Sequence, residues 1–318
     1  MENTQRKKYK KDFLDNVIVR IDFDSPLPIE NTGPAKGIYK AVSKRFPITE
    51  EKKVIGKQLL ISRDSTQERE IETNEWHYFG KNREKHLFVS PNIMFIEYKK
   101  YEYYEHLRED FLSVFKELCE GYPKLQIKRL GLRYIDIIKL QEENPTVWEK
   151  YFKKELTSIF NLAANRNGIA RAFHIIEFNY NEEILRFQFG MFNPDYPAPI
   201  RKKEYTLDFD MYVNKLVDNL EIETLLDRFH IKLNSTFEEV ITDELRLIME
   251  PVNGWKSIFS EEYKNLNTTG TFTKREEQVF KPLNISSDEI RKKIEEDYNL
   301  LKPRRKIIKA RIIFNDKS

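Results

Sequence analysis

The chain has a single cysteine, Cys119. No intrachain disulfide can form, and thiolate zinc sites, which need several cysteines, are excluded. Glycine is scarce, 10 residues in 318, and none falls in a Gly-rich phosphate loop or a dinucleotide fingerprint. There is no G-x-S-x-G nucleophile elbow and no H-E-x-x-H. The five histidines (His77, His86, His106, His174, His230) are scattered, with none in a metal-ligand spacing. No apolar run reaches the roughly 18 residues that a bilayer span needs. The first residues, MENTQRKKYKKDF, are basic with no apolar segment behind them, unlike a secretory signal. The expectation is a cytoplasmic chain with no membrane contact, no cofactor and no metal.

Aromatic and apolar residues, in contrast, are plentiful. Hydrophobic residues make up 40%, and 22 Phe and 16 Tyr supply large side chains to bury. Such a composition builds a core and does not suit disorder. The length fits one large or two medium domains. The net charge of +3 is unevenly spread. Residues 1–11 carry +4, residues 302–318 carry +6, and the body between them carries −7. The basic ends read either as solvated tails or as phosphate contacts. In the second reading Lys7, Lys8, Lys10, Lys11, Arg304, Arg305 and Lys306 are the nucleic-acid candidates.

Hydrophobic periodicity gives the order of elements. Residues 16–24 alternate as a strand, residues 36–46 read as a helix, and residues 54–62 as a second strand. Polar residues 63–75 read as a loop, and residues 76–80 and 85–98 as a strand meander. Tyr104, Leu107, Phe111, Val114, Phe115 and Leu118 recur at helical spacing up to Gly121 and Pro123. A strand over 125–140 closes this first half. The order is that of a split βαβ, or ferredoxin-like, unit with an extra strand or hairpin. Then follow a helix at 146–163, strands at 169–179, 184–192 and 203–213, and one long helix over 221–249. Each half runs from a meander into a long helix, which suggests a pseudo-duplication. The expected class is α+β: two halves of antiparallel-rich sheet (12–142 and 143–250) that share one core, with long helices packed on it. Residues 251–318 form a C-terminal extension with a helix near 286–300, opened by a capping box at Ser286.

Four constellations could carry chemistry. His174 and Glu177 lie three apart on a strand and therefore on opposite faces. Asp208 and Asp210 share one face of a strand, either as a hard-cation pair or as its solvent side. His230, Asn234 and Phe237 line one strip of the long helix. The fourth is KLQIKRLGLRYIDIIKL, at 124–140. Arg129, Gly131, Arg133, Ile135 and Ile137 share one face of it, and Leu130, Leu132, Tyr134, Asp136 and Ile138 the other. Both faces hold apolar residues, so the strand should be central. A charge there needs a partner, and Arg133 must find a carboxylate, carbonyls or an anion. Ligand or interface candidates are thus Arg129, Arg133, Tyr134, Asp136, His230 and Asn234.

With L-G-L-R-Y-I-D-x-I at 130–138 and L-x-x-x-H-x-x-x-N-x-x-F-x-x-x-I-T in the long helix, the chain resembles a sporadically distributed, functionally uncharacterised prokaryotic family. The matching residues are Leu130, Gly131, Leu132, Arg133, Tyr134, Ile135 and Ile138, then His230, Asn234, Phe237, Ile241 and Thr242. The family usually has Asn where this chain has Asp136. The resemblance spans about residues 13–250, names no catalytic residue, and implies genes carried on mobile or defence-related islands. Three functions stand open. The first is a non-catalytic binding or interaction protein, an accessory or sensor of a bacterial defence or toxin–antitoxin-like locus, whose partner is another protein encoded nearby. The second is an RNA-binding protein or metal-independent ribonuclease. The third is a small-molecule enzyme with Arg133 and His230 in a site between the halves.

Overall fold

In a computed structural model of the chain, the described residues are 9–28, 36–61, 66–162 and 165–252. They divide into two compact units. The larger comprises Phe13–Glu149 and Lys153–Val240. The described part of the smaller comprises residues 9–12, 150–152 and 241–252.

The larger unit is α+β, built on one nine-stranded sheet. Its strands are β1 (Leu14–Phe23), β2 (Ile48–Ile61), β3 (Thr66–Phe79), β4 (Lys85–Val89), β5 (Ile93–Tyr98), β6 (Ile127–Lys139), β7 (Ala172–Tyr180), β8 (Glu183–Met191) and β9 (Glu204–Val213). The order across the sheet is β2-β3-β4-β5-β1-β6-β9-β8-β7, with every neighbouring pair antiparallel. Helix α1 (Lys36–Arg45) follows β1 and helix α2 (Tyr104–Gly121) follows β5. The run β4-β5-β1-β6 is therefore the split βαβ arrangement, with the β2–β3 hairpin as the insertion. Helix α4 (Ile222–Val240) follows β9. Two meander-to-helix units, β3–β5 with α2 and β7–β9 with α4, thus flank the central strands β1 and β6.

The core lies on one side of the sheet. In β1 the alternation buries Val17, Val19, Ile21 and Phe23, each at most 1% exposed. Leu130 and Leu132 of β6, Leu207, Phe209 and Met211 of β9, and Leu185 and Phe187 of β8 continue that layer. Leu107, Phe111, Val114 and Leu118 of α2 and Leu226, Phe229 and Leu233 of α4 cover it, all fully buried. Each such side chain contributes about 1.5–3 kcal/mol of transfer free energy. The opposite side of the sheet, residues 16, 18, 20 and 22 of β1 and 129, 133, 135 and 137 of β6 among them, is half-buried.

Several expected elements differ. The polar stretch 63–75 is not all loop: residues 66–75 belong to β3, which pairs with β2 over fourteen positions, Ile48↔Phe79 to Ile61↔Thr66. Cross-strand partners, not residue polarity, make it a strand. The helix expected over 146–163 is a series of turns, a short α3 (Lys154–Thr157) and a 3₁₀ turn (Ser158–Leu162). Trp148 is fully buried, and its indole Nε1 donates to Pro145 O at 3.0 Å. That local bond and the extended Phe152, bridged to Ile241, compete with helix formation. The long helix expected over 221–249 is two helices. The first ends at Val240, and Thr242 caps α5 (Asp243–Met249), its Oγ1 accepting from Leu245 N at 3.5 Å. Thr242 Oγ1 also donates to Lys150 O at 2.7 Å. The helix expected at 286–300 lies outside the described residues.

Candidate functional site

Strand β6 is the sixth of nine in the sheet, between β1 and β9. Its alternation sends Arg129, Arg133 and their partners to the half-buried side, and Tyr134 and Asp136 to the helix-covered side.

On the half-buried side, register sets Arg133 across from Asp210 and Ile135 across from Asp208. The guanidinium reaches diagonally and grips Asp208 with two bonds, Nε to Oδ1 at 2.7 Å and Nη2 to Oδ2 at 2.6 Å. This planar, bidentate pairing is the one that arginine geometry favours. Gln188 Nε2 adds a third donor to Asp208 Oδ2 at 3.2 Å. Arg129 Nη2 donates to Asp210 Oδ2 at 3.2 Å, and its guanidinium lies 4.4 Å from the Tyr212 ring centroid. The bond to Asp208, with its charge, holds the Arg133 proton more tightly than usual. Burial pushes the Asp210 carboxyl up, and Arg129 and Arg133 oppose that rise. Gly131 sits between these pairs, where a Cβ would stand 3.3 Å from Tyr212 Cβ and 3.5 Å from both Arg129 Nη2 and Asp210 Oδ1. Glycine leaves room for the two ion pairs to pack side by side.

On the other side, Tyr134 is 4% exposed and its hydroxyl lies 2.6 Å from His230 Nδ1 and 3.2 Å from the Tyr101 hydroxyl. Asn234, one turn beyond His230 in α4, places Nδ2 3.2 Å from Nδ1 and 3.0 Å from Nε2. Tyr104, the first residue of α2, stacks flat on the His230 ring, with centroids 3.8 Å apart at 3°. Its hydroxyl donates to Asp227 Oδ1 at 2.7 Å, and Arg108 Nε donates to the same oxygen at 2.8 Å. Burial and the bond to Asp227 push the Tyr104 phenol far up, so it stays a neutral donor. This chain of contacts joins α2, α4 and β6. Asp136 is buried on the same face.

The candidates thus fall into two groups. Tyr134, His230 and Asn234 meet in one network. Arg129 and Arg133 belong to a separate one, with Asp208 and Asp210. Because Arg133 and His230 stand on opposite faces of the sheet, one small ligand cannot touch both. His174 lies on β7 with Nε2 buried and without a hydrogen-bond partner, its ring 5.2 Å from Phe189 and 6.0 Å from Phe160. Glu177 points to the other face, near Arg186 at 3.8 Å.

Of the basic termini, Lys10 and Lys11 are described. Their backbone N–H groups donate to Glu250 O and Met249 O, each at 3.0 Å, and the Lys11 ammonium pairs with the Glu250 carboxylate. Lys7, Lys8, Arg304, Arg305 and Lys306 lie outside the described residues.

Three features escaped the sequence reading. Asp110 of α2, 2% exposed, accepts from Arg45 Nη1 at 2.5 Å and also from Lys85 Nζ and the Tyr98 hydroxyl. An acidic residue inside the stripe Leu107–Phe111–Val114 was its signal. Lys203, 4% exposed, donates to Val147 O at 2.6 Å and Asn144 O at 3.1 Å, and pairs with Glu142 at 2.6 Å. The third is a contact between His77 and His86, nine residues apart on β3 and β4.

Among the described residues no cluster of three or more His, Cys, Asp or Glu could hold a metal ion, and no helix is long and apolar enough to cross a membrane. A concavity lined by Met191, Phe192, Asn193, Pro194, Ile200, Lys202 and Glu204 has a volume of about 10 Å³, room for a single water. Pockets for small-molecule ligands are of the order of 300–1,000 Å³. No protein-family model matches the chain, and no curated protein does.

Proposed function

We propose that the chain is a binding protein without catalysis of its own, working through a protein partner. Following the resemblance, its setting is an accessory or sensor role in a bacterial defence or toxin–antitoxin-like locus. The observation that carries this reading is that the polar residues expected to do chemistry are engaged with one another. Arg133 is gripped by Asp208, Arg129 by Asp210, and His230 is held between Tyr104, Tyr134 and Asn234. Catalytic groups need a reacting atom within reach and space for it. These groups instead pin strands and helices together and leave a broad sheet face as the working surface. The test is calorimetric titration of the purified chain with the products of adjacent genes, beside a panel of nucleotides and labelled RNA. A saturable complex with a neighbouring gene product supports the reading; turnover of any substrate by the pure protein sinks it.

RNA binding is favoured by one observation. Phe95, half-buried on the outer face of the split βαβ unit, stacks on the buried Phe88 with centroids 4.9 Å apart. Such sheets bind single strands by stacking bases on aromatics. Acidic neighbours weigh against it: Glu97 and Asp22 share that face with Phe95. RNA binding that falls steeply with salt and is lost on removing both basic ends would establish this second reading instead.

A further inference from the structure

His77 on β3 and His86 on β4 lie on the half-buried side of the sheet. Register places His77 opposite Phe88 and Phe79 opposite His86, so the two imidazoles are diagonal neighbours. His77 Nδ1 is 3.0 Å from His86 Nε2. The ring planes differ by 4° and the centroids are 5.1 Å apart. With nitrogens that close and centroids that far, the rings meet edge to edge through these nitrogens and not face to face.

The outer nitrogens of the pair each look toward a carboxylate. His77 Nε2 is 3.4 Å from Glu75 Oε2, and His86 Nδ1 is 3.9 Å from Glu97 Oε2. These are charge contacts and not formed hydrogen bonds, since His77 Nε2 has no hydrogen-bond partner. They nevertheless favour a proton on each outer nitrogen, because a carboxylate repels a lone pair. Two outer protons leave two inner lone pairs facing each other at 3.0 Å. One further proton between them turns that repulsion into an N–H···N bond. A second inner proton would put two N–H groups and two charges at the same 3.0 Å.

We propose that His77 and His86 are a proton-sharing pair: one shared proton holds this face of the sheet in one arrangement, and a second, taken up at lower pH, drives the rings apart. Its use, making partner binding on this face sensitive to pH, rests on the binding reading above.

The charged groups around the pair fit such a device. Glu50 and Lys52 face it from β2, Glu75 from β3 and Glu97 from β5; Arg83, in the turn before β4, ties down Glu50, and Lys99 acts on Glu97. Glu75 and Glu97 lie where the separating rings would go. Burial first, then the His86 charge and Lys52, push the His77 imidazolium below its ordinary range. The second protonation is thus displaced to the acid side of about pH 6.5. Movement would carry through the face, because Phe79 stacks on His86 at 4.5 Å, Phe95 meets it edge-on at 5.4 Å, and Phe88 meets His77 edge-on at 5.1 Å.

The experiment is an imidazole titration of the full chain by ¹H–¹⁵N correlation, with the exposed His106 as internal reference. The expected result is two steps for the pair, separated by more than about one pH unit, each visible at both rings. In His86→Asn the His77 ring shows a single step, above the lower and below the upper step of the pair. Glu97→Gln, which removes a charge without emptying the sheet, weakens the first proton and lowers the upper step. A single step near that of His106, unmoved by either substitution, overturns the proposal. The titration needs no partner, so its failure leaves the binding reading standing. Absence of any partner would equally leave the pair's two steps intact.

Discussion

The two faces of β6 solve the same problem in different ways. Arg133 and Tyr134 are neighbours in sequence, and each must satisfy polar atoms within a central strand. Arg133, its side chain 38% exposed, does so with a charged pair that water still touches. Tyr134, 4% exposed, does so with the half-buried His230 ring and the Tyr101 hydroxyl. The helix-covered face also holds an acid, the buried Asp136, whereas at the half-buried face the Arg133–Asp208 pair keeps part of its hydration. The ion pairs therefore set how β6 and β9 meet from outside, and the hydroxyl–imidazole chain sets how the helices seat from inside.

The comparison can be broken by substitution. Tyr134→Ala should be the most damaging, about 3–5 kcal/mol by chemical denaturation, since it empties an aromatic site and strips His230 and Tyr101 of a partner. Loss below about 1 kcal/mol would show that the interior network is ornamental. Asp208→Ala should cost less, about 2 kcal/mol, because solvent screens the arginine left behind. Arg133→Met combined with Asp208→Leu should recover most of that loss, and a double-mutant cycle should give a coupling energy that shrinks in high salt. An equal salt response for the Tyr134–His230 pair would erase the distinction between the faces. Arg108→Ala, which removes part-buried bonds to Asp227 and an exposed one to Glu223, should change stability by about 0.5–1 kcal/mol. The smallest expected effect is a pH slope at His174. Burial pushes its imidazolium down, so the unfolded chain takes up the proton first. Stability contributed there is complete above about pH 6.5 and falls as pH drops below it. In His174→Phe that part of the acid slope, measured by thermal unfolding at several pH values, should vanish.

Much of this was legible in the sequence where the signal is local. Val17, Val19, Ile21 and Phe23 announced β1, and Leu107, Phe111, Val114 and Leu118 announced α2. Alternation placed Arg129 with Arg133, Tyr134 with Asp136, and Asp208 with Asp210, each on the proper face. It also required a carboxylate, carbonyls or an anion for Arg133. It could not choose Asp208, because a diagonal pair depends on the register of strands some 75 residues apart. The Tyr104–His230 stack and the His77–His86 contact were hidden for the same reason. The stretch 66–75 misled because its polarity is that of a loop while its hydrogen bonds come from β2. The stretch 146–163 misled because Trp148 and Phe152 suit a helix by composition but find better partners off one.

Sequence alone determined the α+β class, the split βαβ order of the first half and the faces of β6, because period and capping are properties of neighbouring residues. Tertiary structure decided the rest: the nine-strand order, the break at Thr242, the partner of each charge and the meeting of two histidines. Those depend on which distant backbones align, and free energies of that kind exist only once the sheet has formed.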